Sequence, residues 1–139
     1  DNGDFEMDPY DLFMRQHAVE PQPNGNILMF DNGERGVREW SRAAEYALSF
    51  DEDGSPLRAE LVWEWKGQDL FGAFKSDADR LANGNTLITF SNTEDSDEAL
   101  ILEVNMEGEV LWELRSGPEW RTYRALRVPP FHGYVKTVE

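Results

Sequence analysis

An all-β fold of antiparallel β-meander repeats, forming two to three blades of a β-propeller, is what this sequence predicts, on three observations. Its apolar residues follow a period of two, broken by glycine or proline at short intervals, which excludes heptad and helical-repeat designs. Asn24-Gly25-Asn26 returns as Asn83-Gly84-Asn85, an offset of 59 residues that also lays Leu87 over Leu28. Leu111-Trp112-Glu113-Leu114 answers Val62-Trp63-Glu64-Trp65. Repeats of about 40 to 60 residues, each a few short antiparallel strands, are the mark of propeller blades. The repeats run approximately over 15–66, 75–115 and an incomplete 121–139, so that 1–139 reads as one partial propeller.

Taken in order, residues 1–15 form an acidic lead-in whose Phe5, Met7, Tyr10, Leu12 and Phe13 are irregularly spaced, with Asp8-Pro9 as a turn signal. A single strand around 3–7 fits it, and a long helix does not. His17 to Phe30 reads as a hairpin whose Asn24-Gly25 tolerates the positive φ of a tight turn. After Asn32-Gly33 a loop runs to Ser41; strands then follow at 43–50 and 58–65, with a turn over 51–56. The glycine-containing connection 66–76 brings Leu70, Phe71 and Phe74 in as one short helical turn or a loop plug. The second copy then repeats hairpin, strand and Trp-Glu strand, and a third begins at Tyr123, with Arg127-Val128 where Arg80-Leu81 stood. A closed propeller needs at least four blades. The chain is therefore expected to be part of a longer polypeptide, to be cut from one, or to complete itself with other chains, since open ends leave unpaired strand edges.

The 139 residues suffice for one domain with a core, 40% being hydrophobic with five Trp, four Tyr and eight Phe. Against 28 acidic residues stand 13 basic ones, a net charge of -15 that repels phosphate backbones and anionic membranes; neither nucleic acid nor membrane is an expected partner. No run approaches the ~18 to 20 apolar residues of a membrane span, and the N-terminus lacks the basic and apolar regions of a signal peptide. A soluble chain is expected. With no cysteine there are no disulfides, thiolate metal sites or cysteine nucleophiles. Any anion pocket must gather its arginines locally against this overall field, so arginine clusters are informative.

His17 stands at the foot of a strand where the second copy has Ser76, so blade packing does not require it. Histidine serves as base or nucleophile near neutral pH, and arginine binds a tetrahedral oxyanion through paired donors. Of Arg35, Arg38 and Arg42 on the following loop, at most one or two can point inward; Arg42 is placed to pair with Glu45 or an acidic neighbour. Asp31 and Asn32 shape that loop. Arg80, Arg124 and Arg127 occupy matching positions and either line the propeller's middle or bridge blades through Glu64 and Glu113, on strands that read as core. His132 follows Pro129-Pro130. The run Glu94 to Glu98 lacks the spacing of a calcium loop and reads as solvated, so no metal is expected. Without a Gly-rich phosphate loop, a nucleophile elbow or a zinc-type histidine pair, nucleotide hydrolases, serine hydrolases and zinc enzymes are disfavoured.

Gln16-His17, then NGNILMFDNG, SRAAEY, DADRLANGNTLITF and a Trp-Glu strand together resemble the C-terminal half of the arylsulfotransferase family over nearly the whole chain. The resemblance implies a six-bladed propeller that moves a sulfuryl group from a phenolic sulfate to another phenol with no nucleotide donor. It further implies no cofactor, partner blades in the same polypeptide or another chain, an aryl sulfate or phenol as ligand, and a periplasmic or extracellular location. By motif His17 resembles the family's channel histidine before FDNG, and Arg35 its channel arginine; these form the expected catalytic pair. Asp31, Asn32, Arg42, Arg80 and His132 are the expected substrate-binding residues. In the later repeat this chain reads KSDADRL, with no histidine between residues 18 and 131. The nucleophile then belongs to other blades, or is His17 itself, or transfer is altered or absent. The competing function is a non-catalytic propeller module binding a small anion or a protein partner.

Overall fold

The computed structural model describes residues 3–67, 70–93 and 97–128. Eight strands follow one another: β1 (His17–Pro21), β2 (Ile27–Asp31), β3 (Arg42–Phe50), β4 (Pro56–Lys66), β5 (Asp77–Arg80), β6 (Thr86–Thr93), β7 (Glu98–Val104) and β8 (Val110–Arg115). They form two four-stranded antiparallel sheets, β1-β2-β3-β4 and β5-β6-β7-β8, each a simple meander. The fold is all-β, and the described residues contain no helix. Of the two options for the connection after β4, its described part takes the loop form.

Both Asn-Gly-Asn turns place glycine at φ 88°, in Gly25 and Gly84, where a side chain is strained. Their asparagines do more than turn the chain. Asn24 and Asn26 Nδ2 donate to Glu45 Oε1 at 3.2 and 2.7 Å, and Asn83 and Asn85 do the same to Glu103 at 3.3 and 2.7 Å. Each clamped carboxylate then receives an arginine: Arg80 reaches Glu45 at 2.5 Å, and Arg127 pairs with Glu103. These donors outweigh the desolvation of Glu45 and hold its carboxyl below the ordinary range; at Glu103 the Asn85 hydrogen bond leads the same downward shift.

This pairing corrects the expected partners, Glu64 and Glu113. Alternation along β4 is the reason: Trp63 and Trp65 face the second sheet, so Glu64 between them faces away, to Arg42 and Lys66. Glu113 pairs with Arg115 on its own strand.

The main core lies between the sheets. Leu28, Phe30, Ala43 and Trp65 meet Ala78, Ile88, Phe90, Leu100, Leu102 and Val104, with the Phe30 and Phe90 rings edge to face at 5.0 Å. Trp63 and Trp65 Nε1 donate to the carbonyls of Met106 and Gly108 at 3.0 and 3.2 Å, fastening β4 to the β7–β8 turn. The second Trp-Glu strand departs from the core expectation, since every residue of β8 is exposed. Nothing among the described residues shields it as the β7–β8 turn shields β4.

The far face of the first sheet carries a second cluster: Met29, Ala44, Tyr46 and Ala59, covered by Phe5, Met7 and Phe13 of the lead-in. The lead-in adds a short parallel bridge, Glu6 to Arg58, through Glu6 N–H to Leu57 O at 2.8 Å and Ala59 N–H to Glu6 O at 3.0 Å.

Candidate functional site

The motif residues around Asp31 to Tyr46 form one buried framework. Asp31, fully buried, takes the Met14 N–H at 2.8 Å, the Arg42 Nε–H at 2.8 Å and an ion pair with Arg38. Arg42 is 2% exposed; it also donates to Glu64 Oε2, Asp11 O and Tyr46 Oη, each at 2.9 Å. Burial works against this guanidinium, but the oxygens of Tyr46, Glu64 and Asp31 prevail and raise its pKa. Tyr46 in turn donates to Asp11 O at 2.6 Å, and burial pushes its phenol up to about 12. Arg42 is thus tied to the acidic neighbours Asp31 and Glu64 and to the lead-in, and Glu45 is taken by Arg80. Arg38, one of the three loop arginines of which at most one or two are expected to point inward, is nine-tenths buried, with its guanidinium 4.7 Å from the Trp40 ring centroid.

Gly33 makes the fold-back of this loop possible. Its φ is +81°, and a Cβ there would lie 2.6 Å from Arg38 O and 2.7 Å from Trp40 O. Ser41 ties the next layer together: its hydroxyl donates to Asn32 O at 2.7 Å and accepts the Gly72 N–H at 2.9 Å.

His17 rests on this framework. It pairs with Phe30 at the end of β1, where the register shifts before Glu20 and Ala18 takes φ 50°; such a bulge re-aims the side chain beside it. Asn32 Nδ2 donates to two backbone carbonyls, Gly72 O at 2.6 Å and Lys75 O at 3.2 Å, which leaves no choice in the orientation of its amide. Its Oδ1 therefore faces His17 Nδ1 at 2.7 Å, and Arg15 O lies 3.0 Å from the same nitrogen. Two acceptors require a proton on Nδ1, so the neutral ring carries its lone pair on Nε2. Among the described residues Nε2 has no hydrogen-bond partner.

Arg35 lies elsewhere. With Arg15, Glu34, Phe71 and Ala73 it lines an open cavity of about 390 Å³, and its guanidinium stands 5.1 Å from the Phe71 ring centroid. His17 is not among the lining residues, but its ring bonds the Arg15 carbonyl, and Asn32 holds Gly72 between Phe71 and Ala73. Arg80 sits apart, on Glu45 and over the Trp63 ring at 4.5 Å. His132, and most of the acidic run Glu94 to Glu98, lie outside the described residues.

A second polar group joins Glu20 on β1 to Asp77 and Asp79 on β5, their carboxylate oxygens within 4.8 Å of one another. Arg124 brings positive charge to them, 2.6 Å from Asp77 and 3.6 Å from Glu20. Burial first, then the charges of Asp77 and Glu20, raise the Asp79 carboxyl to about 6. Sequence reasoning missed this group, because nothing in the local pattern tells that β1 and β5 lie side by side.

No curated protein and no solved structure matches the chain significantly. The family model for arylsulfotransferase (ASST) matches residues 4–108, a span that takes in both Asn-Gly-Asn turns, the Asp31 to Tyr46 framework, His17 and Arg35. By that match over most of its length, the chain belongs to the arylsulfotransferase family.

Proposed function

We propose that this chain forms part of a sulfuryl-transfer site, passing the group from a phenolic sulfate ester to a phenolic acceptor, with His17 as its carrier and Arg35 as a ligand of the sulfuryl oxygens. Family membership supports sulfuryl transfer in general. The observation that carries the assignment to His17 is the doubly accepted Nδ1–H, which leaves Nε2 as the nucleophilic nitrogen. In the first half-reaction the Nε2 lone pair bonds to sulfur as the bond between sulfur and the aryl oxygen breaks, its electron pair leaving on the phenolate. The ring gains positive charge, and the Nδ1–H, held by Asn32 Oδ1 and Arg15 O, disperses it. In the second half the acceptor oxygen attacks sulfur, the pair of the nitrogen–sulfur bond returns to Nε2, and the acceptor's proton passes to solvent, balancing the proton that solvent gave to the departed phenolate. The sheets serve as two blades of a larger propeller whose other blades come from the same polypeptide or another chain.

The test is turnover of an aryl sulfate with a phenol acceptor by the complete assembly, with loss of product expected in His17→Ala. Retained turnover in that variant removes His17 from the mechanism.

One observation favours a second reading. His17 does not line the cavity that holds Arg15 and Arg35. A non-catalytic module binding a small anion there predicts saturable binding of an aryl sulfate without product.

A further inference from the structure

The cavity beside the His17–Asn32 pair has two unlike walls. Arg15 and Arg35 make one cationic, and Phe71 and Ala73 make the other apolar. We propose that it is an aryl-sulfate subsite in which Phe71 stacks on the ring and Arg15 joins Arg35 on the sulfuryl oxygens. The choice of ligand rests on the sulfuryl-transfer reading, but the subsite does not require His17 to be the nucleophile.

Four features support the assignment. The volume, about 390 Å³, suits a small molecule, such sites spanning roughly 300 to 1,000 Å³. Two guanidinium groups against the one carboxylate of Glu34 line this cavity in a chain of net charge -15, a local excess of positive charge that serves an anion. The partner of Arg15, Glu34 at 2.9 Å, is a cheap one to exchange: the side chains are 63% and 45% exposed, and so open a pair is well screened. The flat guanidinium fork of Arg15 suits sulfuryl oxygens as well as it suits a carboxylate.

Rigidity adds to these four. The loop carrying Phe71 is pinned on both sides of the ring: Leu70 O accepts the Ser41 N–H at 2.9 Å, Gly72 N–H donates to Ser41 Oγ at 2.9 Å, and Gly72 O accepts from Asn32 at 2.6 Å. A backbone so held loses little freedom when a ligand stacks on the ring it carries. Arg35 already stands over that ring at 5.1 Å, so the aromatic and anionic halves of one small ligand are met by side chains in mutual contact.

The experiment is calorimetric titration of the full chain and of Phe71→Leu, Phe71→Tyr and Arg15→Gln with 4-nitrophenyl sulfate, cyclohexyl sulfate and inorganic sulfate. Thermal melts of each variant check that it is folded. The wild type should prefer the aryl to the cyclohexyl ester. Phe71→Leu should weaken 4-nitrophenyl sulfate about fivefold while holding inorganic sulfate within about twofold, and Phe71→Tyr should restore the aryl preference. Arg15→Gln should weaken all three anions about fivefold or more. Equal affinities for aryl and cyclohexyl esters, a silent Arg15→Gln, a parallel loss of every ligand in a folded Phe71→Leu, or no binding by the wild type would each overturn the proposal. The expected binding pattern in a chain that transfers nothing would retire the transfer reading and keep the subsite. Transfer that His17→Ala abolishes, with the Phe71 and Arg15 variants silent, would do the reverse.

Discussion

Arg42→Leu separates an anchoring arginine from a ligand-binding one. In the wild type Arg42 is 2% exposed and satisfies Asp31, which is fully buried, together with Glu64, Tyr46 and the carbonyl of Asp11 in the lead-in. The substitution leaves the Asp31 carboxylate with only Arg38, the Met14 N–H and a long contact from the Gly33 N–H at 3.4 Å. Removing one partner of a buried pair costs about 3 to 5 kcal/mol, and the surviving Arg38 puts this case near the lower end, at about 3 kcal/mol. In a domain of this size that loss lowers the melting midpoint by about 10 °C. Urea and thermal melts measure it, and hydrogen exchange locates it, since amides of residues 3–16 should exchange faster once Arg42 no longer holds the Asp11 and Leu12 carbonyls and Tyr46 alone bonds Asp11 O. Arg42→Lys should recover only part of the loss, because an ammonium cannot reproduce the planar fork. A stability change below about 1 kcal/mol with an unprotected ligand site, seen as a raised KM for the aryl sulfate, would refute the reasoning and make Arg42 a ligand.

Four other outcomes follow from the same geometry. Gly33→Ala sets a Cβ within 2.7 Å of two carbonyl oxygens at φ +81°, so melts should show a loss of about 2 kcal/mol or more. Asp79 has a folded pKa of about 6 against an ordinary value of 3.8; the folded state holds the extra proton between them, so its contribution to stability falls as pH rises through that window. Asp79→Asn should therefore gain about 1 kcal/mol at pH 8, after allowance for solvent screening, and flatten the slope between pH 4 and 6. Glu45 and Glu103, whose carboxyls are lowered, give the opposite sign: their contribution is present above the ordinary 4.5 and lost below it, and Glu45→Gln with Glu103→Gln should remove that acid-side loss from pH-dependent melts. Asn32→Ala leaves the Nδ1–H of His17 with the Arg15 carbonyl as its acceptor and loosens the ring, and should lower kcat by about 10- to 100-fold with KM little changed, as steady-state kinetics on an aryl sulfate would show.

The strands and turns were legible because their signals are local. Asn-Gly marks a positive φ by itself, and period-two runs mark strands without reference to neighbours. What the asparagines clamp was not legible, since Glu45 comes into reach of Asn24 and Asn26 only through the register of β2 on β3. The direction of Glu64 could have been read from the Trp-Glu-Trp alternation, which sends its carboxylate away from both tryptophans and onto Arg42. His17 and Arg35 stood out by residue type, whereas their separation by Arg15 and the cavity wall depends on how the chain folds back at Gly33. Phe71 was legible only as a packing residue of the connection and Arg15 only as an arginine next to a strand; the pinning of residues 70–72 by Ser41 and Asn32 brings them to one cavity.

The most direct test of the account is rapid quenching of the complete assembly during turnover of an aryl sulfate, followed by peptide mass mapping under alkaline conditions that preserve a nitrogen–sulfur bond. With His17 as carrier, one added sulfuryl group should be found on the peptide containing His17, appearing as the first phenol is released and discharged by added acceptor. A sulfuryl group on any other residue, or release of product with the His17 peptide unmodified throughout, would contradict it.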